Sequence, residues 1–141
     1  MEIKELAGII RENGIVGAGG AGFPTHMKID ERVQTILLNC AECEPLLKLH
    51  RQLLSRHTGE ILQALAVVKE TVGAEEAVIG IKGEYEETVK ALKACLPDFP
   101  GMRLALLDSA YPMGDEVVLI YEATGKVVRP GGLPIEQGIA V

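Results

Sequence analysis

This sequence predicts an α/β fold, a mainly parallel sheet flanked by helices, and three observations carry the prediction. Short apolar runs, TILLN (35–39), AVIGIKG (77–83) and RLALLD (103–108), read as strands. TILLN is the kind of run a strand buried on both faces would show. Between them lie segments of about ten to fifteen residues with apolar side chains at helical spacing, the alternation expected of βαβ units.

In chain order, Ile3, Leu6, Ala7 and Ile10 fall at i, i+3, i+4 and i+7, predicting an amphipathic helix over 2–13 that ends at Asn13-Gly14. A glycine-rich loop follows, in which only Ile15-Val16 could form a strand. After TILLN the chain breaks into NCAECEP (39–45), and residues 46–57 read as helix. The next helix starts with Thr58 as N-cap, shows an apolar face from Ile61 to Val72 and stops at Gly73. Residues 84–95 are helical, with Val89 to Leu96 as a further core-facing stretch, and 115–124 are helical with Gly125 at the end. GIAV (138–141) begins another strand, and a domain seldom ends on an uncovered apolar strand. The 141 residues are therefore expected to form one domain of a longer protein.

Composition excludes several function classes. With 14 Lys and Arg against 20 Asp and Glu the net charge is -6, and no clustered cations are present to neutralise phosphates, so nucleic acid is not expected as partner. No apolar run reaches the roughly 20 residues of a membrane span. The start, MEIKELAGIIRENG, carries both charge signs and lacks the organisation of a signal peptide, so a cytoplasmic protein is expected. Three cysteines do not make a disulfide framework.

The chemistry concentrates in two stretches. In VGAGGAGFPTHMK (16–28), Gly17, Gly19 and Gly22 satisfy G-x-G-x-x-G, but a helix rather than a strand enters the loop, and Phe-Pro-Thr follows where a P-loop needs Lys-Ser/Thr. What remains is a backbone bare of Cβ atoms that a flat or phosphorylated ligand could approach, with Lys28 as a nearby cation. The alternative is a tight-packing turn. NCAECEP follows a strand, where ligands of open α/β sheets bind, so Asn39, Glu42 and Glu44 are candidate polar contacts; a solvated acidic turn is the alternative.

Cys40 and Cys43 form C-x-x-C, read as small residues packing beneath the loop, with a redox dithiol as alternative. A metal site is not expected, because zinc or an iron–sulfur cluster wants four ligands and Cys95 lies apart in a helical segment. His26 is the one histidine placed near a ligand, while His50 and His57 read as surface residues.

Three blocks in order, GGAGFPT with Lys28 shortly after, NCAECEP, and YPMGDEVVLIYEATG (111–125), resemble the FMN-binding domain shared by the NADH-oxidising 51 kDa subunit of complex I and the C component of Rnf electron-transport complexes. The third block resembles that family's Tyr-x-x-Gly-Glu-Glu helix start, with Asp115 in place of the first Glu, and PGGLP (130–134) looks like the Rnf branch. Within the family the chain resembles the soluble Rnf C-like proteins, such as the cobalamin reductase of propanediol utilisation and the Rnf-like protein serving proline reductase. It departs from complex I at Ala41, where complex I carries an acid, and at Glu31, where complex I places an aromatic.

The resemblance implies a flavoprotein oxidoreductase that accepts hydride from NADH and passes electrons to iron–sulfur centres in a downstream region, alongside an electron-acceptor protein or other subunits. It implies that Gly17, Gly19, Gly20 and Gly22 line the cleft and that Lys28, Asn39 and Glu42 meet the FMN. Gly114 and Asp115 would start a helix near it. Phe23 and Tyr111 would face the nicotinamide, with Glu44 and Glu116 as the catalytic carboxylates. The family's Asn-Asn segment lies beyond Val141, so an isolated fragment is expected to be inactive. The alternative function is a non-catalytic docking domain of an electron-transfer complex, with no flavin bound in this fragment.

Overall fold

Four described strands form one parallel sheet in the order β3-β2-β1-β4: β1 (Thr35–Asn39), β2 (Glu76–Lys82), β3 (Met102–Leu107) and β4 (Ile139–Ala140). The structure, a computed structural model, describes residues 1–18, 21–44 and 46–141. The register pairs Thr35 with Glu76 and Asn39 with Gly80, while β4 adds to the other side of β1 through Thr35 and Ile36. The expected fold class is the one observed.

Both sheet faces are covered, as the TILLN run predicts. Ile36 of β1 and Cys40 just after it, with Ala77, Ile79 and Ile81 of β2, enter one buried cluster with Leu54 of α2 (Leu49–Arg56), Leu62 and Leu65 of α3 (Thr58–Val72) and Leu92 of α4 (Glu86–Cys95). Leu37 and Val78 point the opposite way, into a second cluster with Leu119 and Ile120 of α5 (Glu116–Thr124). Gly80 permits that second packing, since a Cβ there would lie 2.7 Å from Leu119 Cδ1.

The remaining helix, α1 (Ile3–Glu12), buries Leu6 and Ile10 and gives way to Gly14. Ile15-Val16 becomes a tether: Val16 bridges Pro24 in antiparallel sense, and Gly17 N–H donates to Phe23 O at 2.9 Å. The two ends of the glycine loop are thus tied together.

Helix starts differ from expectation: α1, α4 and α5 begin at Ile3, Glu86 and Glu116 rather than at 2, 84 and 115. α2 begins at Leu49 rather than 46, because Leu46 adopts φ 66° and is 92% exposed. Thr58 is the first residue of α3, not its cap; His57 holds the cap position, and the Thr58 hydroxyl donates to Leu54 O of α2. At α5 the cap is Asp115, whose carboxylate accepts from Val117 N–H and Val118 N–H at 3.0 and 3.2 Å. Among the described residues no helix is long and apolar enough to cross a membrane.

Candidate functional site

The glycine loop meets the carboxyl end of β1 around a cleft of about 560 Å³. Gly17, Gly22 and Phe23 come from the loop, Lys28 from the 3-10 turn Thr25–Lys28, Asn39 from β1, and Glu116 from the first turn of α5. Leu38, Leu53 and Ile61 supply apolar wall. A second pocket of about 390 Å³ adjoins it, with Glu42, Glu44, Tyr111, Gly114 and Asp115 in its lining. The two share Ala18, Asn39 and His50. The expected site residues therefore gather on two connected hollows, except Gly19 and Gly20, which lie outside the described residues.

Asn39 is engaged on both sides of its amide. Its Nδ2 donates to Gly114 O at 2.9 Å, and its Oδ1 accepts from Ala41 N–H at 3.2 Å. Gly114 N–H in turn donates to Cys43 Sγ at 2.8 Å. These bonds join the acidic turn to the start of α5.

Lys28 donates to Val141 O and holds its Nζ 5.5 Å from the centroid of Phe23, within cation–π range. Phe23 is half exposed, Tyr111 is 83% exposed and Glu44 is exposed, so all three are open to a partner molecule.

Glu42 is turned inward. Oε1 accepts from His50 N–H at 2.8 Å, where the start of α2 carries unpaired amides, and Oε2 lies 3.5 Å from Arg51 Nε. Lys82 Nζ donates to Glu42 O at 2.7 Å, and the Arg51 guanidinium stacks 4.3 Å over Tyr85. Glu42 Oε2, Arg51 Nε and His50 Nδ1 are buried without a hydrogen-bond partner, the ion pair being too poorly aligned to make one.

The cysteines divide. Cys40 is buried in the core, and burial first, then the negative charge of Glu42, pushes its thiol up to about 12. Such a thiol is no nucleophile at neutral pH, which favours packing over the dithiol. Cys43 lines the second pocket and is spent on holding Gly114.

His57 is exposed as expected, but the structure puts His50 rather than His26 on the cleft wall. Thr25 and Lys28, three apart in a 3-10 turn and so on one side of it, line the cleft, whereas His26 is not among its lining residues. His50 lines both hollows. Nothing local in the sequence marks His50, because it reaches the site through the bond from Glu42. Among the described residues no group of three or more His, Cys, Asp or Glu is placed to hold a metal ion.

The site suits a planar, polyfunctional ligand such as FMN. An apolar wall meets a polar rim, one cation stands at the loop, and His50 lies on both hollows.

Comparison with known proteins agrees. Residues 10–141 match the family described as the Nuo51 FMN-binding domain. The chain is similar to the cobalamin reductase PduS of Salmonella typhimurium, 43% identical over 140 residues covering 99% of this chain and 30% of that one. It is 35% identical over 147 residues to the C component of the proton-translocating ferredoxin:NAD(+) oxidoreductase complex of Clostridium ljungdahlii, covering 100% of this chain and 32% of that one. A crystal structure of an NAD+-reducing NiFe-hydrogenase in the H2-reduced state superposes with a TM-score of 0.81 at 26% identity, over 97% of this chain and 27% of that one. The chain thus spans about three tenths of the length of these curated relatives. It belongs to the Nuo51 FMN-binding domain family.

Proposed function

We propose that residues 1–141 are the FMN-binding electron-transfer domain of a longer cytoplasmic, NADH-dependent oxidoreductase, which passes electrons to iron–sulfur centres outside this chain and then to a partner protein. The observation that carries this reading is the convergence of the glycine loop, Lys28, the carboxyl end of β1 and Glu116 on one cleft. Family membership supports FMN, and similarity to an NAD+-reducing hydrogenase and to part of a ferredoxin:NAD(+) oxidoreductase complex supports a pyridine nucleotide.

The chemistry FMN supplies when bound is acceptance of a hydride from NADH and release of the two electrons singly. This chain's residues bind, orient and exclude water. Gly17 and Gly22, with Gly19 and Gly20 given the same role from the sequence, offer backbone that a ring or phosphate can approach. Lys28 provides the countercharge, and Asn39 fixes the wall beside it. Leu38 and Leu53 keep the cleft apolar. The exposed Phe23 face suits a stacked nicotinamide; Glu44, Glu116 and Tyr111 offer carboxylate and hydroxyl groups to orient it. Gly114 and Asp115 set where α5 begins, and hence where Glu116 stands.

FMN titrated into the full-length protein, followed by quenching of flavin fluorescence, tests the reading, with anaerobic addition of NADH as the second step. Saturable binding followed by bleaching of the visible flavin band is expected. A second reading, a docking domain without flavin, is favoured by the internal engagement of Asn39 and Lys28 together with the exposure of Leu46, Tyr111 and Leu133. Absence of saturable FMN binding would select it.

A further inference from the structure

We propose that His50 is a ligand-contacting residue of this cleft and that Glu42 is its positioning residue, acting through His50 rather than on the bound group. The inference rests on the FMN reading above and assigns roles within that same site.

Among the described residues, three are common to the two hollows: Ala18, Asn39 and His50. Ala18 has no polar side chain, and Asn39 uses both ends of its amide on Gly114 O and Ala41 N–H. His50 is therefore the shared residue whose side chain keeps free hydrogen-bonding capacity, and its Nδ1 is buried without a partner. Being closed off from the cleft, Nδ1 is not the contact point; the ring meets a bound group through Nε2, which has no hydrogen-bond partner among the described residues. According to tautomer Nε2 donates or accepts, so it suits a C=O or a ring nitrogen at the edge of a heteroaromatic group.

Glu42 explains how His50 comes to stand there. His50 is the second residue of α2, and that helix has no side-chain hydrogen bond from its own cap position, Lys48. Glu42 Oε1 supplies the missing acceptor from eight residues upstream. Glu42 is held in turn by Lys82 on its carbonyl and by Arg51 beside its second oxygen. Moving Glu42 would move the first turn of α2, and His50 with it.

The test uses 15N-histidine-labelled protein, in which only three side chains report, titrated with FMN while its fluorescence is followed. The His50 ring signals should shift at saturation and those of His57 should not. His50→Ala should raise the FMN dissociation constant by about fivefold to tenfold without lowering the melting temperature, as for loss of one hydrogen bond. Glu42→Gln, which keeps an oxygen to accept from His50 N–H, should bind nearly as well as wild type. Glu42→Ala should displace the His50 signals even without FMN.

FMN binding with unmoved His50 signals, or with unchanged affinity in His50→Ala, overturns the role of His50 alone. A loss in Glu42→Gln equal to that of His50→Ala overturns the positioning role and makes Glu42 a direct contact. Absence of FMN binding by wild type overturns the FMN reading and this inference together.

Discussion

The Gly114 amide donates a 2.8 Å hydrogen bond to Cys43 Sγ, so the acidic turn grips the segment that leads into α5. A Cβ on Gly114 would lie 2.1 Å from Ala41 O and 2.7 Å from the same sulfur, and backbone at that distance cannot give way cheaply. Gly114→Ala is expected to destabilise the fold by about 1–3 kcal/mol, the range for forcing an extra methyl into a packed site. Cys43→Ser keeps an acceptor and should lose less. Urea unfolding midpoints of the two variants check the order, and a Gly114→Ala midpoint equal to wild type would mean the two segments separate freely.

Lys28→Ala should weaken FMN binding much more than folding. The cation stands between the ring of Phe23 and the carbonyl of Val141, where it anchors the loop and presents charge to the cleft. A hydrogen bond to a charged group contributes roughly 1.5–3 kcal/mol, so about a tenfold to hundredfold rise in dissociation constant is expected. Fluorescence titration beside thermal melts separates the two effects. Equal FMN affinity for variant and wild type would leave Lys28 with only its internal bonds.

Phe23→Ala and Glu44→Ala should slow flavin reduction by NADH while FMN content stays near that of wild type. Both side chains are exposed, Phe23 on one of the paired hollows and Glu44 on the other, open to a second molecule stacking on the first. Stopped-flow reduction of the FMN-loaded variants reads this directly. Loss of FMN with unchanged reduction of the remaining holoprotein would move both residues to the flavin side.

Elements whose determinants are local could be read from the sequence. Residues 35–39 form the strand expected of TILLN, and the helix of 58–72 stops at Gly73, whose φ of 74° suits glycine. The start of α2 was not legible, because Leu46 gives no sign that it takes a left-handed backbone. In the site, glycine loop, Lys28 and Asn39 announced themselves by type and spacing. The inward turn of Glu42 did not, since it depends on α2 lying where its amides can reach, on Lys82 from β2 and on Arg51. His50 was hidden for the same reason: its place is set by a carboxylate in a different segment.

Cys40 makes alkaline stability a test of the core beneath the site. Its thiol is pushed from 9.0 to about 12, by burial first and by the charge of Glu42 second. An acid with a raised folded pKa favours folding while it remains neutral, so its contribution is fully present below pH 9.0 and is lost as pH rises from 9.0 toward about 12. The loss has a limiting slope of about 1.4 kcal/mol per pH unit. Cys40→Ala should remove that slope while lowering stability at neutral pH modestly, since the side chain is small. Urea midpoints measured through this window for both proteins isolate the part that belongs to Cys40. In the folded protein at neutral pH a disulfide reagent should modify the partly exposed Cys43 and Cys95 and leave Cys40 untouched. Parallel alkaline curves for variant and wild type, or labelling of Cys40 as fast as Cys43, would place the thiol in contact with water.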